Sequence, residues 1–438
     1  MPVRIICKLQ SVKAWGASAM KSIVRTWCSG VAVFLVSTVG NTAESFRVEE
    51  ATISGVHEAF QNRSLTCRTL VQTYLNRIAA YDHNGPALNA ILTINLNALT
   101  DADARDVDFE RSGLTGTLHC IPLILKDNFD TADMPTTGGS SSLAGAQPRS
   151  DAFVVTKLRR AGAIILGKAN MHEFARAGMT VSSLGGQTRN PYDLTRTPGG
   201  SSGGTGAAIA ANFAIAGTGS DTVNSIRSPA SANALVGIRP TKGLLSRAGI
   251  MPLSETQDAV GPIARTVADA ARLLQAMVGY DPNDPSTAWS IGNVPESYLS
   301  SLYSEGLKGA CIGILKVMFG NEPVHQEVNA VVRGAIAAMQ RNGATIVEID
   351  APDLDADKLV ASNDVQKYEF KNLINIYLAG IPNAPVNSLA EIIASGKYHK
   401  PSIERLMVDS ESYQDGMLSW ITKSAFCVIN GHVRSSLR

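Results

Sequence analysis

Twice along the chain an amphipathic helix stops at a glycine and is followed at once by a short, mostly apolar run. The first copy passes from residues 153–160 through Ala161-Gly162 to the run 163–166. The second passes from 328–339 through Asn342-Gly343 to 344–349, with another strand expected before it at 312–315. Glycine ends a helix cheaply because it enters the left-handed region without a steric penalty. A short apolar run without polar alternation reads as a strand buried on both faces. Helix, glycine, buried strand is the grammar of βαβ units, so we expect an α/β fold with a largely parallel sheet covered on both faces. The spacing of Leu70, Val71, Tyr74, Leu75 and Ile78 predicts a further helix over 64–81 with Ser64 as its N-cap, and 121–125 reads as a buried strand ending at Lys126-Asp127-Asn128.

Charge excludes one class of partner. The 438 residues carry 39 Lys plus Arg against 38 Asp plus Glu, without the clustered basic excess that nucleic-acid binding requires. With 45% hydrophobic and 18% charged residues, the chain is far from the composition of a disordered one. Residues 1–43 read as a leader: Arg4, Lys8, Lys13, Lys21 and Arg25 precede the first acidic residue, Glu44, and 31–39 is mostly apolar. Read from Met20, the segment has the basic, apolar and small-residue parts of a secretory signal peptide ending at Asn41-Thr42-Ala43. A mitochondrial presequence is the competing reading, and an uncleaved leader on a cytoplasmic chain is the third. The apolar run falls short of the roughly 20 residues of a membrane span. Cys7 and Cys28 lie in the leader, while Cys67, Cys120, Cys311 and Cys427 are scattered without a CxxC pair. Neither a zinc site nor a disulfide framework can be read from that spacing. The sequon Asn62-Arg63-Ser64 would be glycosylated only in a secreted chain.

Residues 185–249 are rich in Gly, Ser, Thr and Ala, and 205–216 reads as an Ala-rich helix with Gly199–Gly204 at its N-terminus. Backbone N–H groups there could face a ligand. Three familiar motifs fail on inspection. Gly162 to Lys168 has the spacing of a phosphate-binding loop, but position 169 is Ala where a hydroxyl is needed. Gly199-Gly200-Ser201-Ser202-Gly203 satisfies GxSxG, yet Arg196-Thr197-Pro198 before it is no strand. His172-Glu173 does not continue to HExxH because position 176 is Arg.

Taken together, the string Gly199 to Gly204, then Gly219-Ser220-Asp221-Thr222-Val223-Asn224-Ser225-Ile226-Arg227, then Gly237-Ile238-Arg239-Pro240-Thr241 closely resembles the signature of the amidase signature family. Lys126 stands at that family's lysine position, and Asn170 to Ala175 is a further similar string. The resemblance implies a Ser-Ser-Lys triad of Ser225 as nucleophile, Ser201 as bridge and Lys126 as base, acting without metal or cofactor. It implies a cis peptide between Gly200 and Ser201, and an oxyanion hole from the backbone N–H groups of Thr222, Val223, Asn224 and Ser225. Ser202, Asp221 and Arg227 would support the loop, Ser202 either within the site or as a cap of the following helix. The physical demands agree. A serine hydroxyl needs a base to take its proton, lysine is a base only when neutral, and burial at the end of an apolar strand favours that form. Lys168 is then expected to be structural.

Two departures bear on function. Most members of the family carry two glycines before the nucleophile, where this chain has Val223 and Asn224. Val hardly tolerates a positive φ, so an ordinary negative φ is expected at 223, with added bulk beside the oxyanion site. The chain also ends sooner than such a domain usually does, so residues 44–438 are expected to form a single amidase domain shortened at its C-terminus. An exposed sheet edge there would invite association, for example as a homodimer. The expected activity is hydrolysis of a small-molecule carboxamide to an acid and ammonia or amine. A glutamine-dependent amidotransferase component of the A type, or a catalytically weak accessory protein, are the alternatives.

Overall fold

The computed structural model describes residues 46–355, 358 and 364–413; the expectations for residues 1–43 and for the C-terminal end fall outside the described residues. The main sheet is built from Ile91–Ile94 (β1), Pro122–Lys126 (β2), Ile164–Ala169 (β3), Ala216–Asp221 (β6), Val236–Gly237 (β7) and Ala259–Ala264 (β8), in the order β1-β3-β2-β6-β8-β7. A short hairpin of Val181–Ser182 (β4) and Gly186–Gln187 (β5) stands apart. Strands β3, β2 and β6 run parallel. Strand β8 is antiparallel to both β6 and β7, which restores β7 to the common direction, and β1 is antiparallel to β3. The sheet is therefore mixed and mostly parallel. Every residue of β2, β3, β6 and β8 is buried. Since successive side chains point to opposite faces, both faces are covered, as an α/β fold requires.

The order of helix, glycine and strand holds in both places, but the strand is buried only in the first; the second pair forms its own two-stranded sheet with mostly exposed residues. Phe153–Arg160 (α4) buries Val154, Val155 and Leu158; Gly162 then turns at φ 98°, and a Cβ there would lie 2.8 Å from the His119 Cα. Gln326–Arg341 (α8) joins the parallel pair Cys311–Leu315 (β9) and Thr345–Ile349 (β10). The helix expected over 64–81 is Cys67–Tyr81 (α2), capped by Thr66, whose hydroxyl accepts the Thr69 N–H. Ser64 instead donates its hydroxyl to Ala59 O, closing the end of Ile53–Gln61 (α1).

Two expectations need correction. Cys67 and Cys120 form a disulfide, with Cα atoms 5.7 Å apart and a sequence separation of 53. Their spacing carried no signal because the partners belong to different elements, the first turn of α2 and the approach to β2. The Ala-rich helix is Gly203–Ala210 (α5), shorter than expected. Asn212 turns the chain at φ 57°, and Ala216 already opens β6. That strand, Ala-Gly-Thr-Gly-Ser-Asp, has no large side chain to announce it. Its glycines allow contact at backbone distance: a Cβ at Gly217 would lie 2.5 Å from Ile124 O, and one at Gly204 in α5 would lie 2.1 Å from Asn170 O.

A second core covers the loops at the C-terminal ends of these strands. Leu143, Phe174, Met251 and Leu253 pack there against Gln366–Ala379 (α9), Leu389–Ser395 (α10) and Lys400–Ser412 (α11). No helix among the described residues is long and apolar enough to cross a membrane.

Candidate active site

Lys126 is the last residue of β2 and is completely buried. The parallel register sets Ile124 opposite Gly217, which brings the end of β6 alongside it. The Lys126 Nζ lies 2.7 Å from Ser201 Oγ, 2.8 Å from Ser220 Oγ and 3.2 Å from Ser220 O. Asn128 donates its Nδ2 to the same Ser220 Oγ at 3.0 Å. Burial pulls the Lys126 amine down to about 7, against the opposing pull of the Asp221 and Asp258 carboxylates. A neutral amine has one lone pair and two N–H donors, and these three contacts suit it: the lone pair can accept from Ser201, and the donors reach the two Ser220 oxygens.

Ser201 follows a cis peptide from Gly200, as the resemblance implies. Its carbonyl accepts the His172 N–H at 3.0 Å. The turn before it is clamped by Thr180, whose hydroxyl donates to Gly199 O at 2.7 Å and accepts the Gly203 N–H at 3.0 Å. Ser202 occupies the N-cap position of α5, but its side chain makes no cap bond. It donates instead to Ser220 O at 3.2 Å, within the same cluster, and its N–H reaches Ser225 O at 3.3 Å.

Ser225 lies in the loop between β6 and Arg227–Ala232 (α6), almost buried. The loop is held from both ends. Asp221 Oδ2 accepts the Ile226 N–H at 3.0 Å and lies 3.4 Å from Arg227 Nε, while Oδ1 accepts Arg239 at 2.7 Å. Arg227 also donates to Val223 O, and Arg239 to Asp221 O. Thr222 donates its hydroxyl to Asp258 Oδ1 at 2.6 Å; burial pushes the Asp258 carboxyl up. Neither Val223 nor Asn224 has a positive φ, so the loop forms without glycine. Among the described residues the N–H groups of Thr222, Val223, Asn224 and Ser225 have no acceptor, nor do the hydroxyls of Ser201 and Ser225 bond to each other.

Several neighbours carried no local signal. Ser220 and Asp258 reach the lysine only through sheet register and loop packing, and Asn128, two residues on from it, joins the cluster through Ser220. His172 is buried, and its Nδ1 accepts the Met179 N–H at 3.2 Å, which places the ring proton on Nε2. Burial, then His399 and Lys126, pull its pKa down to about 4, so it is neutral. Lys168 is tied into contacts apart from the Lys126 cluster: its Nζ is 3.4 Å from Asp127 Oδ1 and donates to Pro135 O at 3.0 Å and Thr136 Oγ1 at 2.9 Å. Asp127 in turn accepts the N–H groups of Thr137 and Gly139 at 3.2 and 3.1 Å, shaping the turn beside the lysine.

Comparison with known proteins identifies the family of the chain. The family described as Amidase matches residues 69–395. A probable amidase of Arabidopsis thaliana, At4g34880, is 37% identical over 380 residues, covering 82% of this chain and 71% of that protein. A putative amidase of Schizosaccharomyces pombe is 36% identical over 407 residues, covering 86% of this chain and 68% of that one. The A-type component of a glutamyl-tRNA(Gln) amidotransferase from Alkaliphilus metalliredigens is 40% identical over 312 residues, covering 71% of this chain and 62% of that one. Among solved structures, the native peptide amidase of Stenotrophomonas maltophilia superposes with a TM-score of 0.76 at 36% identity, over 86% of this chain and 79% of that one. The chain belongs to the amidase signature family, hydrolases of amide C–N bonds.

Proposed function

We propose that the protein hydrolyses a small carboxamide through an acyl-enzyme, with Ser225 as nucleophile, Ser201 as bridge and Lys126 as base. The observation that carries this reading is the 2.7 Å contact of a fully buried Lys126 with Ser201, in surroundings that bring its pKa to about 7. Neutral Lys126 accepts the Ser201 hydroxyl proton while Ser201 accepts that of Ser225. The Ser225 oxygen attacks the carbonyl carbon, and negative charge gathers on the carbonyl oxygen. Donors already in place stabilise such charge best, and the N–H groups of Thr222 to Ser225 are free for it. Collapse returns a proton through Ser201 to the leaving nitrogen, which departs as ammonia or an amine. Water, activated by the same relay, then releases the acid and restores Ser225. Catalytic hydrogen bonds such as Ser225 to Ser201 commonly tighten only around substrate.

A serine-directed fluorophosphonate tests the nucleophile. Labelling of the wild type, lost in Ser225→Ala, is the expected result; undiminished labelling at the same site in the variant, or none in the folded wild type, defeats the assignment and favours an accessory role. Ammonia release from simple amides is expected without a partner, and strict dependence on glutamine transfer to a charged transfer RNA would overturn plain hydrolysis. We also place the protein in an oxidising compartment, because the buried Cys67–Cys120 disulfide belongs to such surroundings. A thiol count of the native protein from its own host, with both cysteines reactive after denaturation, would overturn that placement.

A further inference from the structure

The loop that would hold the oxyanion presents two side chains that the proposed reaction does not use. Val223 is 44% exposed although it is apolar, and it lies two residues before the nearly buried Ser225. Asn224 is exposed beside it, with its carbonyl tied to the Ser228 N–H at 2.7 Å. The backbone beneath these side chains is fixed: Thr222 is bonded to Asp258, Val223 O to Arg227, and Asp221 to both Arg227 and Arg239. With the backbone anchored in this way, the two side chains can move only by rotating about their own bonds. The N–H donors of residues 222–225 lie on the same stretch of backbone, so a carbonyl oxygen that reaches them brings its α-carbon in beside residue 223 or 224. Valine is branched at Cβ and stiff about χ1, whereas asparagine can rotate its carboxamide aside.

From this geometry we infer that Val223 is a specificity-determining residue, a steric gate that admits carboxamides with an unbranched α-carbon and turns away those with a quaternary one. The inference rests on the proposed function in one respect, that the loop from Thr222 to Ser225 receives the substrate carbonyl. It adds a substrate class to that reading: amides of slender, straight acyl chains. Asn224 forms the softer rim of the same gate.

The test compares hexanamide with 2,2-dimethylhexanamide, which differ only at the α-carbon. Ammonia release gives the ratio of kcat/KM for the branched to the straight amide in wild type, Val223→Ala, Val223→Gly and Asn224→Gly. A pocket that gains or loses one or two carbons discriminates by about tenfold or more. The ratio should therefore rise by about tenfold in Val223→Gly, less in Val223→Ala, and least in Asn224→Gly. An unchanged ratio in both Val223 variants, or a wild type that hydrolyses the two amides equally well, overturns the gate. Calorimetric binding of the two amides to Ser225→Ala and to Ser225→Ala with Val223→Gly reads the gate without turnover. If the wild type neither labels nor turns over but the binding preference still relaxes in the double variant, the nucleophile reading fails and the gate stands. If labelling is normal and the binding preference does not move, the gate fails alone.

Discussion

The protonation state of Lys126 governs the proposed chemistry, so pH is the most informative perturbation. A lysine is ordinarily protonated up to about 10.5, and burial brings Lys126 down to about 7. At about 1.4 kcal/mol per pH unit, that displacement corresponds to about 5 kcal/mol against the charged form. The consequence for rate is large. At pH 7 about half of the molecules hold a neutral Lys126, whereas an ordinary lysine would supply about three in ten thousand. The assay is the second-order rate of fluorophosphonate labelling at Ser225 between pH 5 and 10, which isolates attack by the serine from product release. Labelling should climb about tenfold per pH unit below pH 6 and level off above about pH 8. His172 should not distort this range, because it is already neutral above about pH 4. Asp258 pulls the lysine upward, so Asp258→Asn should move the midpoint to lower pH. A profile that is flat, or that keeps rising beyond pH 9.5, would refute a neutral buried lysine as the base.

The same displacement makes stability depend on pH. The folded pKa of Lys126 lies below its unfolded value, so the unfolded chain binds more protons between about pH 7 and 10.5. Stability should rise with pH across that window, and the rise should shrink in Lys126→Met, as followed by denaturant unfolding. Replacing Cys67 and Cys120 by Ala opens a loop of 53 residues and should cost about 4 kcal/mol on the chain-entropy account; equal unfolding midpoints for the variant and the native protein would count against the bond. Gly204→Ala would drive a Cβ to 2.1 Å from Asn170 O and should abolish soluble expression, while Gly113→Ala, with open space around it but at φ 72° and ψ −154°, should cost about 1–3 kcal/mol through backbone strain alone. Tyr377 donates to Asp130 Oδ1 at 2.6 Å, and burial pushes that carboxyl up to about 6. Tyr377→Phe should cost about 1–3 kcal/mol at pH 8, where Asp130 is charged and loses its donor. The loss should be smaller at pH 4, where a carboxyl with a raised folded pKa is protonated.

The fold was legible wherever the side chains are large. Val154, Val155 and Leu158 mark α4, Ile164 to Leu166 mark β3, and Gly162 between them marks a turn that only glycine fits. In the small-residue stretch the helix was legible but its end and β6 were not, since both are built from Gly, Ala, Ser and Thr, which carry little periodic signal. There, close approach of backbones replaces side-chain packing, and the end of α5 depends on Asn212 rather than on any change in pattern. The site divides in the same way. Lys126, Ser201 and Ser225 were named from strings that resemble a family, and so was the loop from Thr222 to Asn224. Ser220 and His172 stand in the same strings but carry no role there, and Asn128 and Asp258 gain theirs only from contacts with residues distant in the chain.

By itself, then, the sequence determined the α/β grammar, the family and the three polar residues on which the proposed reaction turns, because those features are local or lie in contiguous strings. The tertiary structure decided what long-range contact alone can decide. Sheet register brings Ser220 to Lys126 and seals that lysine from water, and a disulfide joins Cys67 to Cys120 across different elements. Anchors from Asp258, Arg227 and Arg239 hold Val223 exposed beside Ser225. A pKa, a cross-link and a steric gate are properties of surroundings, and only folding assembles surroundings.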